Sequence, residues 1–126
     1  MTHYFKIYGQ MRTGTNYISN ILINNFLDIK VFMNVGGWKH GEIIKIPNEE
    51  NLVNRVDNET IKSINATEII NLFTMNKVKF IVMIKNPYMW INSICEFNKK
   101  SLNDETFIIK QIQIWNTLYN NYKEYI

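Results

Sequence analysis

Apolar residues recur along this chain in two rhythms. Residues 4–8 form a short apolar-rich run with the length of a buried strand, and residues 9–14 read as a turn. After the turn, Ile18, Ile21, Leu22 and Phe26 return at spacings of three and four, which predicts an amphipathic helix from Thr15 onward. Residues 29–33 fit a second strand, followed by a loop that contains Gly36, Gly37 and Gly41 and closes at Pro47. Residues 48–77 begin polar and turn helical, with Ile69, Ile70, Leu72 and Phe73 on the apolar face. Residues 78–84 are apolar except for Lys79, the pattern of a central parallel strand covered on both faces.

Asn86 is a good helix N-cap, and Pro87 fits the first helical position, where its missing N–H costs nothing. That helix is expected to run to about Lys100, with Trp90, Ile91, Ile94 and Cys95 turned inward. Asp104 opens a last helix whose apolar face is read as Ile108, Ile112, Trp115, Tyr119 and Tyr122. Strands alternating with helices predict an α/β fold, a three-layer parallel sheet flanked by helices and joined by right-handed crossovers. At 126 residues the chain is expected to form a single domain over residues 1–126.

With 46% hydrophobic and 20% charged residues, disorder and collagen-like repeats are excluded. The net charge of +3 is mild and contains no basic run of five, so nucleic acid is not expected as a partner. Cys95 is the only cysteine, which rules out an intramolecular disulfide and a Cys-rich metal site and suits a reducing compartment. No basic leader or long apolar segment stands before the first strand, so a cytoplasmic location without membrane attachment is expected.

The candidate chemistry begins at residues 9–16. A loop linking a strand to a helix start aims backbone N–H groups and the positive end of the helix dipole at one point, where an anion is stabilised. Arg12 adds a permanent charge, and Thr13, Thr15 and Asn16 add short polar side chains. A Walker A loop needs Gly-x4-Gly-Lys-Ser/Thr, whereas here Thr15 holds the Lys position and Asn16 the Ser/Thr position. Lys85 also follows the third strand where a magnesium-holding acid is expected. An ordinary ATPase or GTPase is therefore excluded.

The run Arg12-Thr13-Gly14-Thr15-Asn16-Tyr17 resembles the phosphate loop of PAPS-dependent sulfotransferases, whose usual form is Lys-Ser-Gly-Thr-Thr-Trp after the first strand. A second signature of that family is a strand ending in Arg-x-Pro with a serine eight residues after the arginine. Here it reads Lys85-Asn86-Pro87 with Ser93, so the spacing is kept while lysine stands for arginine. The Gly-x-x-Gly-x-Trp-Lys segment that closes over the nucleotide in cytosolic members has no counterpart.

The resemblance implies a P-loop sulfotransferase-like fold that binds PAPS (3'-phosphoadenosine 5'-phosphosulfate) and its product PAP without a metal. It puts Arg12, Thr13, Gly14, Thr15 and Asn16 at the 5'-phosphate, and Lys85 and Ser93 at the 3'-phosphate. It makes His40 the general base toward a hydroxyl or amine on a small-molecule or glycan acceptor, since an imidazole with a pKa near ~6.5 accepts a proton at neutral pH. Lys39 and Arg12 are assigned to the charge that develops on the transferring sulfuryl group and its leaving phosphate. Two other readings stay open: a non-catalytic nucleotide- or phosphate-binding module that keeps the loop, and a metal-independent kinase-like phosphotransferase.

Overall fold

The computed structural model describes residues 1–52 and 64–125. Three strands, β1 (His3–Gly9), β2 (Ile29–Phe32) and β3 (Val78–Met83), form a parallel sheet in the order β2-β1-β3. Among the described residues four helices accompany them: α1 (Thr15–Asn25), α2 (Ala66–Thr74), α3 (Pro87–Asn98) and α4 (Glu105–Lys123), with a 3-10 turn at Glu49–Leu52. The polar part of the stretch at residues 48–77 falls largely on 53–63, outside the described residues.

Side-chain alternation divides the sheet into two apolar faces. Tyr4 and Tyr8 share one face with Phe32, Val78, Phe80 and Val82, following the register that aligns Tyr4 with Val78 and Tyr8 with Val82. Against this face pack Ile69 and Phe73 of α2, and Leu118 and Tyr122 of α4. On the other face Ile7, Val31 and Ile81 meet Ile18, Leu22 and Ile23 of α1. The layers are therefore α1, sheet, and α2 with α4, an α/β arrangement of a small parallel sheet flanked by helices.

Three expectations change. Residues 78–84 do not form the central strand: among the described residues β3 pairs only with β1, and β1 takes the centre. An unbroken apolar run reports coverage by helices on both faces, which an edge strand also enjoys here. On α1, Phe26 is 49% exposed because it is the C-cap, with extended backbone that leaves the helical face, and Ser19 and Ile23 turn inward with Leu22. On α4, Ile112 is 47% exposed, while Trp115, Leu118 and Tyr122 set the buried stripe.

The helix starts follow the local chemistry. The Asn86 side chain accepts from the N–H groups of Tyr88 and Met89, and Asp104 accepts from Phe107 N–H, so both helices begin with a side-chain cap. Asn65 caps α2 through Glu68 N–H. No described helix is long and apolar enough to cross a membrane.

Candidate functional site

The central strand delivers the chain to residues 9–16, and the close packing there explains the glycine. A Cβ on Gly9 would stand 2.7 Å from Thr13 Oγ1, 2.9 Å from Thr15 Cγ2 and 3.0 Å from Met83 Cβ, so only glycine lets the turn fold back on the strand end. Thr13 Oγ1 donates to Gln10 O at 2.6 Å and closes the turn from inside. Neighbouring elements then fix the loop: Trp90 Nε1 donates to Met11 O at 2.7 Å from α3, and Gln10 Nε2 donates to Trp115 O at 3.0 Å on α4. Arg12 takes a left-handed backbone (φ 64°), and Gly14 does so as the N-cap of α1 (φ 88°). Gly14 offers no side-chain cap, so the first-turn N–H groups and the positive helix end face the loop's concave side.

Over this helix start lies a pocket of about 540 Å³. Arg12, Lys39 and Lys85 all line it, and among the described residues no carboxylate does. These cations come from three separate segments, after β1, after β2 and after β3. Arg12 Nε lies 3.4 Å from Ser93 Oγ, and its guanidinium carbon is 5.0 Å from the centre of the Phe97 ring. Lys85 Nζ lies 3.4 Å from Arg12 O. Both hydrogen bonds are longer than the usual 2.7–3.2 Å range, so neither charge is tightly engaged by the described residues. Lys39 Nζ donates to Asn16 Oδ1 at 2.5 Å, which ties the loop after β2 to the start of α1. Such a cluster stabilises a multiply charged anion, because each cation lowers the cost of concentrating negative charge at one point.

His40 stands on the same side, tied to the end of β1 in two ways. Gly9 N–H donates to Lys39 O at 2.8 Å, and His40 Nδ1 lies 2.7 Å from Gly9 O. A carbonyl oxygen only accepts, so Nδ1 carries the proton and a neutral imidazole keeps its lone pair on Nε2. Burial lowers the His40 pKa below the usual histidine value, with Lys39 and Lys6 adding to the effect, while the Gly9 carbonyl opposes it. The group is therefore a neutral, oriented proton acceptor at pH 7. The Trp38 ring packs edge-on against it at 5.2 Å.

His40 also lines a second pocket, of about 530 Å³, between the 38–42 loop and α4. Trp38, Ile114 and Leu118 supply its apolar walls, and Glu42, Lys110, Gln113 and Thr117 its polar edge. A proton acceptor thus separates a cationic pocket from a mainly apolar one.

No family model, no curated protein and no solved structure matches this chain.

Of the residues singled out in the sequence, Arg12, Gly14, Thr15, Asn16, Lys39, His40, Lys85 and Ser93 all line the cationic pocket. Thr13 does not: it is only 8% exposed and its hydroxyl is spent on Gln10 O, so it shapes the loop instead of facing a ligand. Phe97, which underlies Arg12, and the α4 wall of the second pocket carry no local sequence signal. Lys6 carries one sequence signal, a lysine within a strand of otherwise apolar residues. Tyr122, read as a residue of the last helix's face, is fully buried, and its hydroxyl donates to Gly41 O at 3.0 Å.

Proposed function

We propose that the cationic pocket holds the phosphates of PAPS or PAP, and that the chain transfers the sulfuryl group to a hydroxyl or amine, as sulfotransferases do. The observation that carries this reading is the meeting of Arg12, Lys39 and Lys85 over the start of α1, with no carboxylate among the described residues of the pocket wall. On this reading Arg12, Asn16 and the first-turn N–H groups would serve one phosphate and Lys85 with Ser93 the other, the two donor groups adjoining where Arg12 Nε stands 3.4 Å from Ser93 Oγ. When bound, PAPS supplies the activated sulfuryl group and PAP as the leaving group.

The chain's own residues do the rest. His40, protonated at Nδ1 and open at Nε2, accepts the proton from the acceptor's hydroxyl or amine. The apolar pocket between Trp38 and α4 holds the body of a small-molecule or glycan acceptor beside that nitrogen. Lys39 and Arg12 neutralise charge on the phosphate side, where positioned cations act with little reorganisation.

The test is calorimetric titration with adenosine 3',5'-bisphosphate, AMP, and ATP with magnesium, on the wild type, Arg12→Ala and Lys85→Ala. Selective binding of the bisphosphate that weakens about tenfold or more in each variant, the loss of one charge-assisted contact, is the expected result. Equal affinity for all three nucleotides, or none, overturns the reading. A preference for ATP over the bisphosphate assigns the pocket to a phosphotransferase, and bisphosphate binding without sulfuryl transfer makes the chain a binding module.

A further inference from the structure

We infer that Lys6 is a positioning residue for the candidate site: its buried ammonium clamps the backbone of residues 33–37 and so determines where Lys39 and His40 stand. This gives Lys6 a place in the function proposed above and rests on that reading of Lys39 and His40.

Lys6 sits in the middle of the central strand, and none of its surface is exposed. A charged side chain is rarely buried so completely unless specific partners hold it. Its partners lie well away in sequence: Nζ donates to Met33 O and, at 2.6 Å, to Gly37 O. In the sheet Lys6 is opposite Phe32, the last residue of β2, so its side chain reaches just past the strand end to the segment that leaves it. One ammonium thereby bridges two carbonyls on a stretch without regular structure, and both residues are buried where water is not an alternative donor.

Tyr8, two residues on and on the same face, braces the same segment. Its hydroxyl lies 3.4 Å from Gly36 O and accepts from Ile44 N at 3.0 Å, and its ring centre is 4.5 Å from Lys6 Nζ. The segment itself is pliable, because Gly36 and Gly37 both have positive φ (82° and 123°). It is also pressed close: a Cβ on Gly37 would meet Tyr8 Oη at 2.8 Å. Two residues after Gly37 comes Lys39, whose carbonyl accepts from Gly9 N–H at the far end of β1, and then His40, whose ring Nδ1 meets Gly9 O. The central strand therefore grips the functional loop at its base, by the Lys6 and Tyr8 side chains, and at its tip, by the Gly9 backbone. Releasing the ammonium removes two of the bonds that hold the base of a glycine-rich segment. A hydrophobic residue at position 6 would fill the space but leave the Met33 and Gly37 carbonyls without this donor.

The test uses Lys6→Met, which keeps much of the volume and removes the ammonium. Two readouts separate positioning from mere support of the fold. The first is the imidazole Nδ1–H proton signal of His40 by NMR, which needs no ligand and reports the contact with Gly9 O. The second is a double-mutant cycle with Lys39→Ala, read as affinity for adenosine 3',5'-bisphosphate.

The inference predicts loss or broadening of the Nδ1–H signal in folded Lys6→Met. It predicts a loss of affinity of about tenfold, as for one charge-assisted contact, that does not add to the loss from Lys39→Ala. A folded variant with an unchanged Nδ1–H signal, or with additive losses, overturns it. Should Lys6→Met not fold, Tyr8→Phe releases the same segment more gently, and it must weaken the same signal for the inference to stand. If the wild type binds no bisphosphate, the proposed function fails, and the Nδ1–H signal alone then decides the role of Lys6.

Discussion

Arg12 offers a way to separate affinity from stability, because its backbone and its side chain pull in opposite directions. Its φ of 64° places a side-chain-bearing residue in the left-handed region, which costs about 1–2 kcal/mol relative to glycine. Replacing Arg12 by glycine removes that cost. Against the gain stand two losses. Glycine gives the unfolded chain more freedom, about 0.4–1 kcal/mol, and the contact of the exposed guanidinium with the Phe97 ring is worth about 0.5–1 kcal/mol. The bond to Ser93 Oγ, at 3.4 Å, adds little. These contributions nearly cancel, so Arg12→Gly is expected to change folding stability by less than about 1 kcal/mol.

Affinity should respond very differently. A hydrogen bond to a charged group contributes about 1.5–3 kcal/mol, so loss of the guanidinium should weaken bisphosphate binding about 10- to 150-fold. Part of that interaction is long-range, so the wild type should lose affinity with added salt more steeply than the variant. The assay pairs thermal unfolding with calorimetric titration at two salt concentrations. A change in affinity of less than about threefold, with the same salt dependence as the wild type, would refute the placement of Arg12 at the anion. A stability loss above about 2 kcal/mol would instead make the residue a structural support of the loop.

Two further outcomes follow from the same geometry. His40→Gln should spare bisphosphate binding and abolish sulfuryl transfer; since the folded pKa is lowered, the acid limb of the wild-type rate profile should fall below the usual histidine pKa of ~6.5, with a flat profile above it. The linkage has a matching sign: the unfolded chain binds the proton more readily, so this stabilisation is complete above ~6.5 and is lost as pH falls toward the folded value. Chemical denaturation of wild type and His40→Gln across that range checks it. Gly9→Ala should lose about 1–3 kcal/mol, because the new methyl must displace Thr13 Oγ1, Thr15 Cγ2 and Met83 Cβ, and it should weaken bisphosphate binding as the loop shifts. A thermal midpoint equal to wild type would show that the turn has more room than these distances allow.

Much of the architecture was legible where local chemistry dictates it. Asn86 followed by Pro87, and Asp104 ahead of a long periodic run, specify helix starts through their own backbone hydrogen bonds, and both caps are formed. The position of a strand within the sheet is a different kind of property. Residues 78–84 looked central because apolar continuity measures burial on two faces, whereas order in the sheet depends on which neighbours pair. The true centre, β1, carries a lysine that bonds to carbonyls 27 and 31 residues away, and nothing near Lys6 in the sequence announces those two bonds. On α4, spacing admits more than one face. Trp115, Leu118 and Tyr122 set the observed one through contacts with the sheet and with Gln10, which leaves Ile112 in solvent. Thr13 shows the same limit at the site: a short polar side chain in an anion loop either faces the ligand or closes the turn, and only the fold decides.

The strand order also explains why cations so far apart in sequence meet. From β1 the chain crosses with α1 on one face to reach β2, and α2 then lies on the opposite face before β3 joins the other side of β1. Successive connections therefore diverge at the carboxyl end of β1, and a crevice opens there between the segments that follow the strands. Arg12 enters from the loop after β1, Lys85 from the segment after β3, and Lys39 from the loop after β2 that docks on Gly9. Each of these residues lies within a few positions of a strand end or of a contact with one, so the sheet sets their separation and the crevice stays charged without a ligand to assemble it. Preorganisation of this kind favours an anion, because the repulsion among three like charges is already met by the folding energy and is relieved on binding. An anion that spans the crevice should therefore raise the unfolding temperature more than one that reaches Arg12 alone, which makes the bisphosphate, compared with AMP at equal concentration, the sharper probe of the arrangement.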